Sequence, residues 1–297
     1  MRIFLFSLII SATFLLQASG SEKVKVATFS TILTEIAQRV GGDRVEVAGL
    51  VKPGVDPHEY EPTPGDIRLV GASQIVLASG KHLEGYLTKL KESAGSKGDL
   101  VPVGDAFPSL TVKSESDKGD GAAKEIEDPH WWHSVENVER AVKVVRDELD
   151  KVSPPNKAVF DKNSEVYLAE LEGLKKWVAR KVAELPRDRR RLVTSHDAFQ
   201  YFARDFGFKV YAIEGINTQD EVSNRKVASI IETIQKQRVK AIFLESIENP
   251  KVIKEVTRET GATVGGTLYA DGLGKGEAGT YDGMMRHNVT TIVEGLK

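Results

Sequence analysis

Residues 156–185 read NKAVFDKNSEVYLAELEGLKKWVARKVAEL. Val159, Phe160, Tyr167, Leu171, Leu174, Trp177, Val178, Val182 and Leu185 form one long amphipathic pattern across this stretch. Thirty helical residues would span about 45 Å, the width of a domain or more. Pro154-Pro155 interrupts the chain just before it. The stretch therefore predicts a helix, assigned to 154–186, that connects two halves of the molecule.

On its N-terminal side, strands and helices alternate. Lys23 to Thr28 and Val45 to Val51 read as strands, and Ser30 or Thr31 caps a helix reaching Gly41-Gly42. Pro64 to Gly71 reads as a helix, Ile75 to Ala78 as a buried strand and His82 to Glu92 as a further helix. Residues 111–127 are polar, mixed in charge and poor in apolar side chains, which predicts a mobile surface loop. Ser134 then caps a helix to about Val152. On the C-terminal side, strands are expected at 192–195, 209–213, 241–244 and 263–269. Helices are expected at 198–206, 222–237, 250–260 and 281–296. Such alternation implies parallel sheets covered on both faces. The expected fold is α/β, with two lobes, each a mostly parallel sheet flanked by helices, joined by one long connecting helix. The lobes are assigned to 21–153 and 187–297.

The chain has 297 residues and a formal net charge of -2. No broad basic surface is implied, which argues against a nucleic-acid partner. The one dense basic run, Arg187 to Arg191, is broken by Asp188 and reads as a solvated turn. There is no cysteine, so disulfides, thiolate metal sites and cysteine nucleophiles are excluded. Arg2, the apolar stretch Ile3 to Leu16 and the small residues Ala18-Ser19-Gly20 predict a cleavable secretory signal over 1–20. The apolar run is short for a membrane span. With no cysteine at the cleavage point, a soluble, mildly acidic periplasmic monomer without a lipid anchor is expected.

The chemistry sits in four segments. Asp-Pro-His occurs twice, at 56–58 and 128–130; Thr194-Ser195-His196 follows a strand, and Asp271 lies in a glycine-rich turn. Three imidazoles and one carboxylate make a complete tetrahedral ligand set. Proline stiffens each Asp-Pro-His loop, and the aspartate two residues earlier is placed to orient the histidine ring by accepting its second N–H. His133 rivals His130, being three residues further on. Trp131 and Trp132 read either as packing or as a wall against water. His82 reads as a surface residue and His287 as a surface or packing residue. Glu245 ends a strand at the same edge, where it either stabilises a loop or supplies a spare carboxylate. Gly272-Leu-Gly-Lys-Gly lacks the spacing of a phosphate loop. His196 and Asp271 both fall just past strand C-termini, the edge where open α/β sheets bind ligands.

With these segments placed, the chain resembles the zinc/manganese substrate-binding proteins of ABC transporters, the cluster with a rigid connecting helix. The segments that carry the resemblance are PGVDPHEYEPTP at 53–64, DPHWW at 128–132, TSHDAFQYFA at 194–203 and TLYADGLG at 267–274. It implies that His58, His130, His196 and Asp271 bind one metal between the lobes, for delivery to a membrane permease. Two departures stand out. Zinc members often carry a histidine-rich loop before the second ligand, yet 111–127 has no histidine. Manganese members tend to have a carboxylate at the third ligand position, whereas this chain has His196. Imidazole favours Zn(II) over Mn(II). The expected function is periplasmic capture of zinc for an ABC importer, not catalysis. The alternative is a secreted zinc-dependent hydrolase, which would need an open coordination position; a weaker one is an adhesin of the same fold.

Overall fold

Successive residues of a strand face opposite sides of its sheet, and here both sides are apolar. Val24 and Val26 enter one cluster of buried side chains while Ala27 and Phe29 enter another. In the second half, Ala241 and Phe243 face one cluster and Ile242 a different one. Strands buried on both faces are the mark of a parallel sheet under two layers of helices.

The computed structural model describes residues 22–114, 124–218, 223–247 and 251–297. The expected signal segment 1–20 and the centre of the polar stretch 111–127 lie outside them. In the first lobe, β1 (Val24–Thr28), α1 (Thr31–Gly41), β2 (Val45–Gly49), α2 (Pro64–Ala72), β3 (Ile75–Ala78), α3 (Leu87–Ala94) and β4 (Asp99–Pro102) build a parallel sheet of order β2-β1-β3-β4. The Ser30 hydroxyl caps α1 by accepting from the Ile32 N–H. Thr63 and Asp66 close a capping box around α2, with Pro64 in its first turn.

Next come β5 (Thr111–Ser114), β6 (Lys124–Glu127), α4 (Val135–Val152) and the long α5 (Lys157–Ala183). The second lobe contains β7 (Arg191–Thr194), α6 (Gln200–Phe206), β8 (Lys209–Ala212), α7 (Asn224–Gln237), β9 (Ala241–Glu245), α8 (Lys251–Thr260), β10 (Thr263–Leu268) and α9 (Tyr281–Leu296). Its strands pair in parallel as β7 with β8 and β9 with β10, and β7 runs beside β9. At 1.5 Å per residue, the 27 residues of α5 span about 40 Å. Phe160, Tyr167, Leu171, Leu174, Val178 and Val182 line its buried face. That face packs on α1 and α4 of the first lobe and on α9 of the second. One apolar cluster thus runs from β1 through α5 to α9.

Two expectations are corrected. The helix expected from His82 starts only at Leu87. Lys81 and His82 take left-handed φ angles of 52° and 66°, which an α-helix excludes. Side-chain bonding holds this turn: Asp105 accepts the Lys81 N–H at 2.7 Å, the Lys81 ammonium is buried against the Phe107 carbonyl at 3.0 Å, and Glu84 takes the Ser79 and Gly80 N–H groups. The ends of 111–127 are not loop: β5 and β6 pair antiparallel, with Val112 opposite Ile126. Strand β4 was not anticipated, because its Asp-Leu-Val-Pro sequence is short and bounded by poor strand formers.

Candidate metal centre

Each of the four candidate residues is carried by a stiff turn. His58 follows β2, and its N–H donates to Asp56 Oδ1 at 2.8 Å, closing a local turn. The second Asp-Pro-His repeats that turn, with the His130 N–H on Asp128 Oδ1 at 2.9 Å. His196 lies two residues past β7 and Asp271 three past β10. The Asp271 turn rests on the N-terminus of α1, where the Leu273 N–H donates to Thr31 Oγ1 at 2.8 Å. Gly272 permits this approach, since a Cβ there would lie 2.7 Å from the same oxygen.

These turns bring four donor atoms together. His58 Nε2 is 3.1 Å from His130 Nε2, and His196 Nε2 is 3.2 Å from it. Asp271 Oδ1 lies 3.3 Å from His58 Nε2, 3.4 Å from His130 Nε2 and 3.3 Å from His196 Nε2. All four donors fall within 4.8 Å of one another. Four donors this close surround one point at the reach of metal–ligand bonds. Side-chain exposures are 2% for His58, 0% for His130 and His196 and 1% for Asp271. Neither oxygen of Asp271 accepts a well-aligned hydrogen bond. A buried carboxylate in that condition is costly unless a cation faces it.

Carboxylates behind two of the rings set their tautomers. His130 Nδ1 donates to Asp128 Oδ1 at 2.9 Å, and His196 Nδ1 donates to Glu245 Oε2. With the proton fixed on Nδ1, the Nε2 lone pair faces the centre. Glu245 Oε1 also accepts the N–H groups of Ser195, at 2.9 Å, and His196, at 3.2 Å. Burial alone would lower the pKa of each ring. For His130 the bond to Asp128 and the nearby Asp271 outweigh it and raise the pKa; for His196, Asp271 and Glu245 raise it well above the ordinary value. Burial works the other way on Asp271, yet the His196, His130 and His58 rings hold it well below the carboxylate range.

The structure brings together the four residues singled out from the sequence and separates the others. His133 turns away: its Nε2 donates to the Ala270 carbonyl at 2.8 Å, and its ring lies 4.3 Å from that of Phe199. Burial and the neighbouring His130 lower its pKa to about 3, so it is a neutral donor. Trp132 Nε1 donates to the same carbonyl at 2.7 Å, so two side chains of the first lobe hold the backbone next to Asp271. Trp132 also stands edge-on to His130, at 5.4 Å, and thus serves both packing and enclosure. His82 is exposed, 3.8 Å from Glu127, and His287 donates to the Thr267 carbonyl. Two carboxylates have partners that the sequence left unnamed. Glu245 is the partner of His196, a pairing signalled only by their shared position at the ends of neighbouring strands. Asp56 does not orient the His58 ring. One of its oxygens accepts the His58 N–H and the other accepts the Thr218 hydroxyl at 2.7 Å.

The profile described as ZnuA, zinc-uptake complex component A, periplasmic, matches residues 26–295. The manganese-binding lipoprotein MntA of Bacillus subtilis (strain 168) is 34% identical, with all of both chains covered. The iron-binding protein YfeA of Yersinia pestis is 32% identical, over 98% of this chain and 93% of its own. Among solved structures, the periplasmic zinc-binding protein TroA from Treponema pallidum superposes with a TM-score of 0.83 at 30% identity. That match covers 93% of this chain and 99% of TroA.

Proposed function

The chain belongs to the ZnuA family, and from that premise we infer that it captures one Zn(II) ion between its lobes and hands it to the permease of an ABC importer. That it is a metal-binding substrate-binding protein of an ABC transporter, and not an enzyme, follows from the family itself. The metal is the finer question, because relatives are named for manganese, iron and zinc.

One observation carries the reading of His58, His130, His196 and Asp271 as ligands for zinc. Three imidazoles and one carboxylate converge on one point, with five of their six separations between 3.1 and 3.4 Å, and a nitrogen-rich set of four donors suits zinc. Mn(II) favours six oxygen-rich ligands and stands at the weak end of the divalent series. A hydrolase gains no support, since four protein donors leave a tetrahedral ion no open position for water. Lobe limits of 21–153 and 187–297, with 154–186 between them, serve as the working division. The 297 residues contain no cysteine, which supports an exported form free in the periplasm, although several relatives are named lipoproteins. Cell fractionation tests that point.

The deciding experiment is elemental analysis of protein purified without added metal, followed by competition among Zn(II), Mn(II) and Fe(II) under anaerobic conditions. One zinc per chain, retained against excess manganese and iron, is expected. Displacement of zinc by an equal concentration of either ion would overturn the assignment.

A further inference from the structure

The two Asp-Pro-His turns share a backbone and differ in how they use their carboxylates. In the second, Asp128 Oδ1 accepts both the N–H and the ring Nδ1 of His130, so the ring is clamped, and Asp128 Oδ2 is buried without a partner. In the first, Asp56 Oδ1 accepts the His58 N–H at 2.8 Å and Asp56 Oδ2 accepts the hydroxyl of Thr218 at 2.7 Å. Thr218 belongs to the second lobe, 162 residues away, on the connection between β8 and α7. Among the described residues no carboxylate backs the His58 ring, whereas Asp128 backs His130 and Glu245 backs His196. His58 is also the one member of the quartet not wholly buried as a residue.

Resting on the reading of this quartet as the metal site, we propose that the Asp56–Thr218 hydrogen bond is the latch that holds His58 on the metal and sets the rate of release. One carboxylate joins the backbone of a ligand to the opposite lobe, so parting of the lobes at this edge pulls on the turn that carries His58. The His130 turn also meets the second lobe, through Tyr201 on the Asp128 carbonyl and Trp132 on the Ala270 carbonyl, but its ring, like that of His196, is clamped by a carboxylate and stays in place. His58 is therefore the first ligand to leave and the last to arrive, and Thr218 is a positioning residue that never touches the ion.

The test is stopped-flow release of zinc into excess chelator from the full-length chain and from Thr218→Val, Thr218→Ser and the double variant Asp56→Ala/Thr218→Val. Thr218 sits on a half-buried surface turn, and Val keeps its shape, so the metal-free form is expected to stay folded, with its melting temperature lowered by a few degrees at most. Loss of a bond to a charged acceptor at this exposure predicts release faster by about tenfold in Thr218→Val, with association unaltered. Thr218→Ser restores the slow rate, and Thr218→Val adds nothing once Asp56 is alanine. Release from Thr218→Val within twofold of wild type, or equally fast release from Thr218→Ser, overturns the latch while leaving the metal site standing. A wild-type chain that binds none of zinc, manganese and iron overturns the function, and the latch falls with it.

Discussion

The carboxylate of Glu245 closes β9 against β7: one oxygen takes the Nδ1 proton of His196 and the other takes two backbone N–H groups of the same turn. A residue outside the proposed ligand set thus fixes both the tautomer and the position of one within it. Partners of this kind are worth 10- to 100-fold in metal affinity. Glu245→Gln is expected to weaken zinc binding by about that factor in a chelator competition, because the amide has no charge to hold the Nδ1 proton. Unchanged affinity would reduce Glu245 to a loop support.

Removing a ligand leaves the Asp271 charge facing fewer partners and opens the tetrahedron. His130→Ala and His196→Ala should lose zinc binding by at least about a thousandfold, well beyond the effect on an outer partner. His82→Ala and His287→Ala should not move it. His133→Ala should lower stability by about 2–4 kcal/mol, through the lost donor to Ala270 and the lost contact with Phe199, while zinc binding persists. Isothermal titration with parallel urea melts separates the two effects. Loss of zinc binding in His133→Ala with full binding in His130→Ala would reassign the second ligand.

Protons compete with the metal. Without a cation, Asp271, Asp128 and Glu245 raise the pKa values of His130 and His196, so these rings keep protons above the ordinary imidazole midpoint. A metal taken up by the proposed site must displace them. Affinity should therefore climb with pH through the neutral range and level off only above the raised values. More than one proton should be released per ion at pH 7, read from titrations in buffers of different ionisation enthalpy. A pH-independent affinity from pH 6 to 8 would contradict a three-histidine site.

His133 carries the opposite sign. Its folded pKa is depressed to about 3 while the unfolded chain titrates near the ordinary 6.5. The unfolded state therefore takes up a proton first, and stability contributed by the neutral ring is present above pH 6.5 and lost progressively toward pH 3. The slope is up to about 1.4 kcal/mol per pH unit. His133→Gln, which keeps a donor for the Ala270 carbonyl and does not titrate, should flatten the acid limb of metal-free stability by that slope. Parallel curves for wild type and variant between pH 6.5 and 4.5 would show that the ring titrates elsewhere.

What the sequence disclosed follows from how local each signal is. The apolar face of α5 is periodic over 27 residues and needs no knowledge of its neighbours. The repeated Asp-Pro-His and the histidine and aspartate past strand ends could be read singly, which is why the quartet was legible. Partnerships were not. Glu245 meets His196 only because β9 lies beside β7, 49 residues apart in sequence. His133 faces Ala270 across 137 residues, so its spacing from His130 says nothing about its partner. Asp56 and Asp128 occupy identical tripeptides, yet only Asp128 meets its histidine ring and only Asp56 meets the Thr218 hydroxyl. The left-handed turn at Lys81 and His82 depends on Asp105 and Phe107, far along the chain.

The apolar cluster that passes from one lobe through α5 into the other should make the lobes unfold together, as a single cooperative unit. Heating should give one transition, with calorimetric and van't Hoff enthalpies in agreement. A cation held at one edge of this unit protects all of it: at about 1,000 times its dissociation constant, it adds about 4 kcal/mol against unfolding. Proteases that cut only opened chains then meet about a thousandfold fewer of them. The lifetime of the protein becomes a record of metal supply, with starved molecules cleared before loaded ones.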